Sequence, residues 1–251
     1  MTTVRYDTDG GVAVVTLAKP PHNLIDDILL GDLVSAYQRA VTERRRAILL
    51  RSDMRHFCAG ADVAGFGAGR KPRDPVELLD KLENVAIPTV AAVHGAALGG
   101  GFELALTCDT IIAADTATIG MVEVTLGLLP LLGGVQRVVQ RAGVARGKEL
   151  AMFGRRHSPA ALERWGVLNL VVAEAELAAT SLSWAKQLAA GPTVAHGEIK
   201  RLANLSARSG IAAADAQQLA ANAAMWASED QKRGREAFAK TGPNTAVFEG
   251  T

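Results

Sequence analysis

Two glutamates stand alone in apolar surroundings. Glu103 is the one charged residue between Val85 and Cys108, and Glu123 is the one charged residue between Asp115 and Arg137. A carboxylate planted in an apolar run is rarely there for packing, because burying its charge is costly. Burial raises a carboxyl pKa, and a like-charged neighbour raises it further. Two such groups in one place can hold one acid and one base near neutral pH. Just before Glu103 lies Gly99-Gly100-Gly101-Phe102, where glycines run into a helix start. Such a backbone bends sharply and presents N–H groups at the positive end of a helix, which suits an anion or a developing oxyanion. Phe57-Cys58-Ala59-Gly60-Ala61-Asp62-Val63 follows a strand, and its small residues let a ligand approach free N–H groups.

Each segment also has a plainer reading. Glu103 could be a surface residue complementing a helix dipole, Glu123 a strand carboxylate facing solvent, and residues 57–63 a tight turn beneath a helix. Other chemistries find no support. Gly143-Val-Ala-Arg-Gly147-Lys148-Glu149 is one residue short of a P-loop and has Glu where Ser or Thr binds magnesium. Gly65, Gly67 and Gly69 miss the dinucleotide-binding register, and no GxSxG elbow is present. His22, His56, His94, His157 and His196 have no metal-ligand spacing, and Cys58 and Cys108 belong to no CxxC pair.

The elements that must position the glutamates follow from periodicity. Val4–Asp7 and Val12–Leu17 flank a turn-rich Thr8-Asp9-Gly10-Gly11 and predict a hairpin. Leu29, Leu30, Leu33, Val34 and Tyr37 predict a helix over about 26–43, and Ala47–Leu50 a buried strand. Residues 57–69 predict a loop or a loose helix start, with residues 65–75 a candidate mobile loop. Val90–Val93 predicts a strand, 94–101 a glycine-rich turn, and Phe102 the start of a helix. Thr110–Ala114 is again strand-like, with a strand or turn through Met121. Helices are expected over 134–141, ended by Gly143, and over 146–153, ended by Gly154. Ser158-Pro159 gives an N-cap and a first-turn proline, and from about Ala175 the chain is alanine-rich and helical. The expected class is α/β, with a core over 1–190 and a helical region over 191–251.

Composition narrows the partners. Over 251 residues, a net charge of +1 and 4% aromatic content give no footprint for a polyanion and little for stacking bases. The first residues lack the basic-then-apolar pattern of a secretory signal, and Glu103 with several glycines breaks the most apolar stretch as a membrane span. A cytoplasmic protein without nucleic-acid or membrane partners is expected.

The runs FCAGADV, IPTVAAVHGAALGGGFELALTCD and ATIGMVEVTLGLLPLLGGVQR closely resemble the signature regions of the enoyl-CoA hydratase/isomerase (crotonase) family, in the same order and spacing. The resemblance implies a right-handed coil of ββα units with a helical C-terminal part that builds trimers or hexamers. It implies that the N–H groups of Ala61 and Gly100 bind a thioester oxygen and that Ala59 to Ala64 (Ala59, Ala61, Asp62, Val63 and Ala64) and Gly100 line the coenzyme A thioester. Glu103 then matches the glutamate that activates water for attack at C3, and Glu123 the one that exchanges the proton at C2. No metal or redox cofactor is implied; coenzyme A arrives with the substrate. Both glutamates favour hydration of a trans-2-enoyl-CoA over Δ3,Δ2-isomerisation or simple acyl-CoA binding. The family's usual PEVxLGLxPGAGGTQRL is altered here: Val122 replaces a proline, Leu131-Leu132 a Gly-Ala pair and Val135 a threonine, and Ala64 stands where a lysine is usual.

Overall fold

The computed structural model describes residues 2–63 and 75–251. β1 (Val4–Asp9) and β2 (Val12–Leu17) form the expected antiparallel hairpin, in register from Val4↔Leu17 to Asp9↔Val12. Every residue of β2 is buried, which is why it is apolar except for Thr16 instead of alternating. α1 (Asp27–Thr42) is capped by Asp26, whose carboxylate accepts the Leu29 N–H at 2.9 Å, and it turns Leu29, Leu30, Leu33, Val34 and Tyr37 into the core.

β3 (Ala47–Ser52), β4 (Thr89–Val93), β6 (Thr110–Ala114) and β8 (Leu170–Val172) add to the hairpin in parallel, giving a six-stranded sheet ordered β1-β2-β3-β4-β6-β8. A second, shorter row runs beside it. β5 (Ala96–Leu98) pairs in parallel with β7 (Thr118–Gly120), and single bridges join Ile25 to Ala61, Cys58 to Ala97 and Ile119 to His157. The chain therefore repeats one course: a strand in the large sheet, a short extended piece in the second row, then a helix. β4-β5 leads into α3 (Gly100–Ala105), and β6-β7 leads, through a 3-10 turn over Glu123–Leu126, into α4 (Gly134–Phe153).

One expectation is corrected here. Residues 94–101 are not merely a turn, because Ala96–Leu98 pairs with β7; three residues are too few to show periodicity. The helices expected over 134–141 and 146–153 are both present: α4 is two helical stretches that meet at a non-helical Gly143 (φ 82°, ψ 167°). That backbone conformation is closed to residues with a side chain, so the glycine ends the first stretch where expected and kinks the path into the second. Ser158 does precede α5 (Pro159–Arg164), but its side chain makes no capping bond.

The C-terminal third is helical: α6 (Glu174–Ala190), α7 (Thr193–Ser209), α8 (Ile211–Trp226) and α9 (Glu229–Thr241). α7 is tied to the core by Lys200, whose ammonium bonds Asp109 at 2.9 Å and the Ile87 carbonyl at 3.3 Å. The tail returns to α9, where the buried Asp230 accepts the N–H groups of Glu249 and Gly250. Among the described residues no helix is long and apolar enough to cross a membrane.

Candidate active site

α3 begins at Gly100, so Glu103 falls one turn inside it, and every residue of the helix is buried. With 1% of its surface exposed, Glu103 is not the dipole-complementing surface residue of the plainer reading. Its Oε1 accepts two backbone N–H bonds, from Leu132 at 2.9 Å and Gly134 at 2.8 Å. These donors come from the segment joining the 3-10 turn to α4, so the next turn of the coil reaches back to hold the carboxylate. Gly134 must be glycine: a β-carbon there would lie 2.6 Å from Glu103 Cγ and 2.7 Å from Met121 Cε.

Glu123 is not on a strand. It opens the 3-10 turn after β7, and both its carboxylate oxygens are buried without a hydrogen-bond partner among the described residues. A β-carbon at Gly99 would lie 3.0 Å from Glu123 Oε1, which places this carboxylate against the entrance of α3. Burial pushes the Glu103 carboxyl up to about 7; the charge of Glu123 adds to that rise, while the Gly134 and Leu132 N–H groups and Arg137 oppose it. Burial likewise raises Glu123. Two coupled carboxyls of this kind titrate as a unit and can share one proton near neutrality.

The Ala61 and Gly100 N–H groups donate to no acceptor among the described residues, whereas their neighbours are committed. Ala59 donates to His22, Asp62 to Ile25, Val63 to Ala61 and Gly99 to Gly120. The two free donors lie close together: a β-carbon at Gly100 would lie 3.6 Å from the Ala61 nitrogen. The same point is 3.3 Å from Ile25 Cδ1 and 3.3 Å from Leu132 Cδ1, so two apolar side chains border the gap between the donors. α3 has only six residues, so these free N–H groups, more than a summed helix dipole, supply the positive field. Val63 is 48% exposed, at the outer end of the loop. Ala64 lies outside the described residues, as does most of the 65–75 segment.

The structure thus brings together Ala61, Gly100, Glu103 and Glu123, from three successive turns of the coil. Sequence reasoning missed Ile25, the N–H donors of Leu132 and Gly134, and Arg137, which sits behind that segment. Leu132 carried a signal, since it departs from the pattern of the motif; Ile25 carried none. A cavity of about 400 Å³ bordered by Leu106, Arg141, Ile199 and Lys200 contains neither glutamate. Among the described residues no group of three His, Cys, Asp or Glu side chains is placed to hold a metal ion.

A hairpin-capped ββα coil followed by a helical C-terminal region is the crotonase fold, and two buried carboxyls near a close pair of free N–H donors suit an acid–base enzyme acting on a carbonyl compound. The chain belongs to the enoyl-CoA hydratase/isomerase family, whose model matches residues 7–249. It is 35% identical to a protein of Rhizobium meliloti described as a probable enoyl-CoA hydratase, over 94% of each chain. It is 32% identical, over the same share of both chains, to a probable enoyl-CoA hydratase of Mycobacterium bovis. Among solved structures it superposes on enoyl-CoA hydratase subunit I of Geobacillus kaustophilus with a TM-score of 0.92 at 32% identity, covering 99% of this chain and 98% of that one. The enoyl-CoA hydratase of Bacillus anthracis gives 0.90 at 27% identity, with 99% and 100% covered.

Proposed function

We propose that this protein is an enoyl-CoA hydratase that adds water reversibly and syn to a trans-2-enoyl-CoA, giving the 3-hydroxyacyl-CoA in fatty-acid or related acyl-CoA metabolism. The observation that carries the reading is the closeness of the free Ala61 and Gly100 N–H groups beside two buried carboxyls of raised pKa. In this reading the thioester oxygen sits between the two donors. Water, its proton drawn to Glu103, adds its oxygen to C3; the C2–C3 π electrons move toward the carbonyl, and the two N–H groups stabilise the enolate charge. Glu123 then delivers a proton to C2, so one water is consumed and the proton taken at Glu103 replaces the one given up by Glu123. A pair that shares one proton near neutrality is equipped for this in both directions.

Ala59, Asp62, Val63 and Ala64 are assigned to the coenzyme A part of the substrate, and no further cofactor is assigned. A homotrimer or hexamer, working in the cytoplasm, goes with this reading. A second reading, Δ3,Δ2-isomerisation with Glu123 as proton shuttle, is favoured by one observation: the apolar side chains of Leu132 and Ile25 border the gap between the two donors and offer water no hydrogen-bond partner there. The test is loss of conjugated thioester absorbance with crotonyl-CoA and a longer trans-2-enoyl-CoA. Loss that vanishes in both Glu103→Gln and Glu123→Gln supports hydration. Turnover of a 3-enoyl-CoA alone, surviving Glu103→Gln and abolished by Glu123→Gln, favours isomerisation instead. Binding of acyl-CoA without turnover would leave only a carrier role.

A further inference from the structure

We propose that Arg137 is a positioning residue for Glu103: its guanidinium clamps the backbone segment whose N–H groups hold the carboxylate. This rests on the assignment of Glu103 to the reaction. Arg137 lies in the first turn of α4 and is 8% exposed. One edge of its guanidinium is fixed by a two-point bond to the Glu83 carboxylate of α2 (Pro75–Glu83), with Nε to Oε1 at 3.2 Å and Nη2 to Oε2 at 2.9 Å. Its remaining nitrogen, Nη1, donates to the carbonyls of Leu132 and Gly133, both at 3.2 Å. Gly133 and Gly134 share one peptide unit, so the peptide whose carbonyl Arg137 grips is the peptide whose N–H meets Glu103 Oε1 at 2.8 Å. The Leu132 residue is likewise held at its carbonyl by Arg137 and at its N–H by Glu103.

The side chain therefore fixes the peptide that carries the Gly134 donor, and anchors the residue after the peptide that carries the Leu132 donor, without approaching the reacting atoms. Only a planar fork bridges a carboxylate on one side and two carbonyls on the other; an ammonium supplies the charge as a point. Arg208 of α7 also grips Glu83, and Asp80 beside it, from the outside, but it is bonded to neither carbonyl. It serves as a control for loss of an ion pair at the same carboxylate. The groups that bear on the Glu103 carboxyl are Glu123, Arg137 and the two N–H donors, so misdirected donors and a lost guanidinium act on its titration in the same sense.

The experiment compares Arg137→Lys, Arg137→Met, Glu83→Gln and Arg208→Ala with the unaltered protein. It reads urea midpoints, kcat and KM with crotonyl-CoA, and the Glu103 carboxyl titration by ¹³C NMR, assigned with Glu103→Gln. Arg137→Lys is expected to lose kcat by roughly 10- to 100-fold at nearly constant KM, the scale of a slightly misplaced catalytic group. Its Glu103 titration moves above about 7, further in Arg137→Met, and Arg208→Ala changes neither reading. Folded Arg137→Lys and Arg137→Met proteins with unaltered kcat and an unmoved Glu103 titration would overturn the proposal. If those variants do not fold, Glu83→Gln, which frees one edge of the guanidinium, decides by the same two readings. If the unaltered protein does not hydrate crotonyl-CoA, the hydratase reading fails while the NMR titration still decides the role of Arg137.

Discussion

Glu103 and Gly134 lie closer together than any side chain at position 134 would permit: the Gly134 N–H meets Glu103 Oε1 at 2.8 Å, and a β-carbon there would be 2.6 Å from Glu103 Cγ. The contact joins the start of α4 to α3 across successive turns of the coil, so the carboxylate is placed by backbone more than by side chains.

Gly134→Ala must therefore displace Glu103, Met121 or the start of α4. The expected outcome is a folded protein with kcat for crotonyl-CoA reduced by about 10²-fold or more, because small misplacements of a catalytic group are that costly. Steady-state kinetics beside a far-ultraviolet spectrum checks this. A variant with unaltered kcat would mean that Glu103 need not be held where the structure holds it.

The raised pKa of Glu103 makes stability depend on pH. Its folded value, about 7, lies above the ordinary 4.5, so between these values the folded chain keeps a proton that the unfolded chain has released. Stability is fully present below about 4.5 and is lost as pH rises through about 7, to a total of about 3 kcal/mol. Glu103→Gln removes this dependence while its amide oxygen can still accept both N–H bonds. Urea unfolding of the two proteins at pH 5 and pH 8 is expected to show the variant gaining on the unaltered chain at the higher pH. Equal differences at both values would show that Glu103 does not carry a raised pKa.

How much of the fold and site is legible in the sequence differs by element for physical reasons. β2 and α1 announce themselves, because β2 is nearly all apolar and buried on both faces, and α1 carries a helical stripe that buries one face. Glu103 and Glu123 are visible because an apolar run that keeps a lone carboxylate bears a desolvation cost that packing does not offset. β5 and β7 do not stand out as strands because three residues carry no period, and their pairing depends on contacts between turns of the coil. The 3-10 turn that carries Glu123 has the same cause: four residues followed by Gly127 in a left-handed conformation leave no pattern. Arg137 and Ile25 act through contacts across 54 and 36 positions, to Glu83 and Ala61, and no local spacing encodes such distances.

The kink in α4 offers a test of stability separate from chemistry. Gly143 has φ 82° and ψ 167°, and a β-carbon there would meet nothing within 4 Å, so space is not the obstacle. Gly143→Ala is still expected to cost on the order of 1–3 kcal/mol through backbone strain alone. A chemical-denaturation midpoint measures it, and kcat should hold, since the kink is away from the glutamates. A neutral or stabilising substitution would show that the helix straightens at no cost.

Leu132 ties the sequence's departure from its family motif to the chemistry of the site. Leu131, its companion, is 41% exposed, whereas Leu132 is 7% exposed and brings Cδ1 to 3.3 Å from the point where a Gly100 β-carbon would stand. That point is 3.6 Å from the Ala61 nitrogen, so the leucine borders the space assigned to the thioester oxygen, which in the substrate is two bonds from C2. An alanine there would open room beside C2, at about 2–5 kcal/mol of stability for the lost side chain. Leu132→Ala is accordingly expected to raise kcat/KM for a 2-methyl-branched enoyl-CoA relative to crotonyl-CoA by roughly 10-fold or more, the discrimination one or two methylenes can impose. A water-limited site predicts in addition that absolute kcat for crotonyl-CoA hydration rises, whereas a site limited only by substrate shape predicts that it falls or stays level. Ratios of kcat/KM on the two substrates, measured side by side, check the first claim. An unchanged ratio in a folded variant would remove Leu132 from the substrate-binding wall.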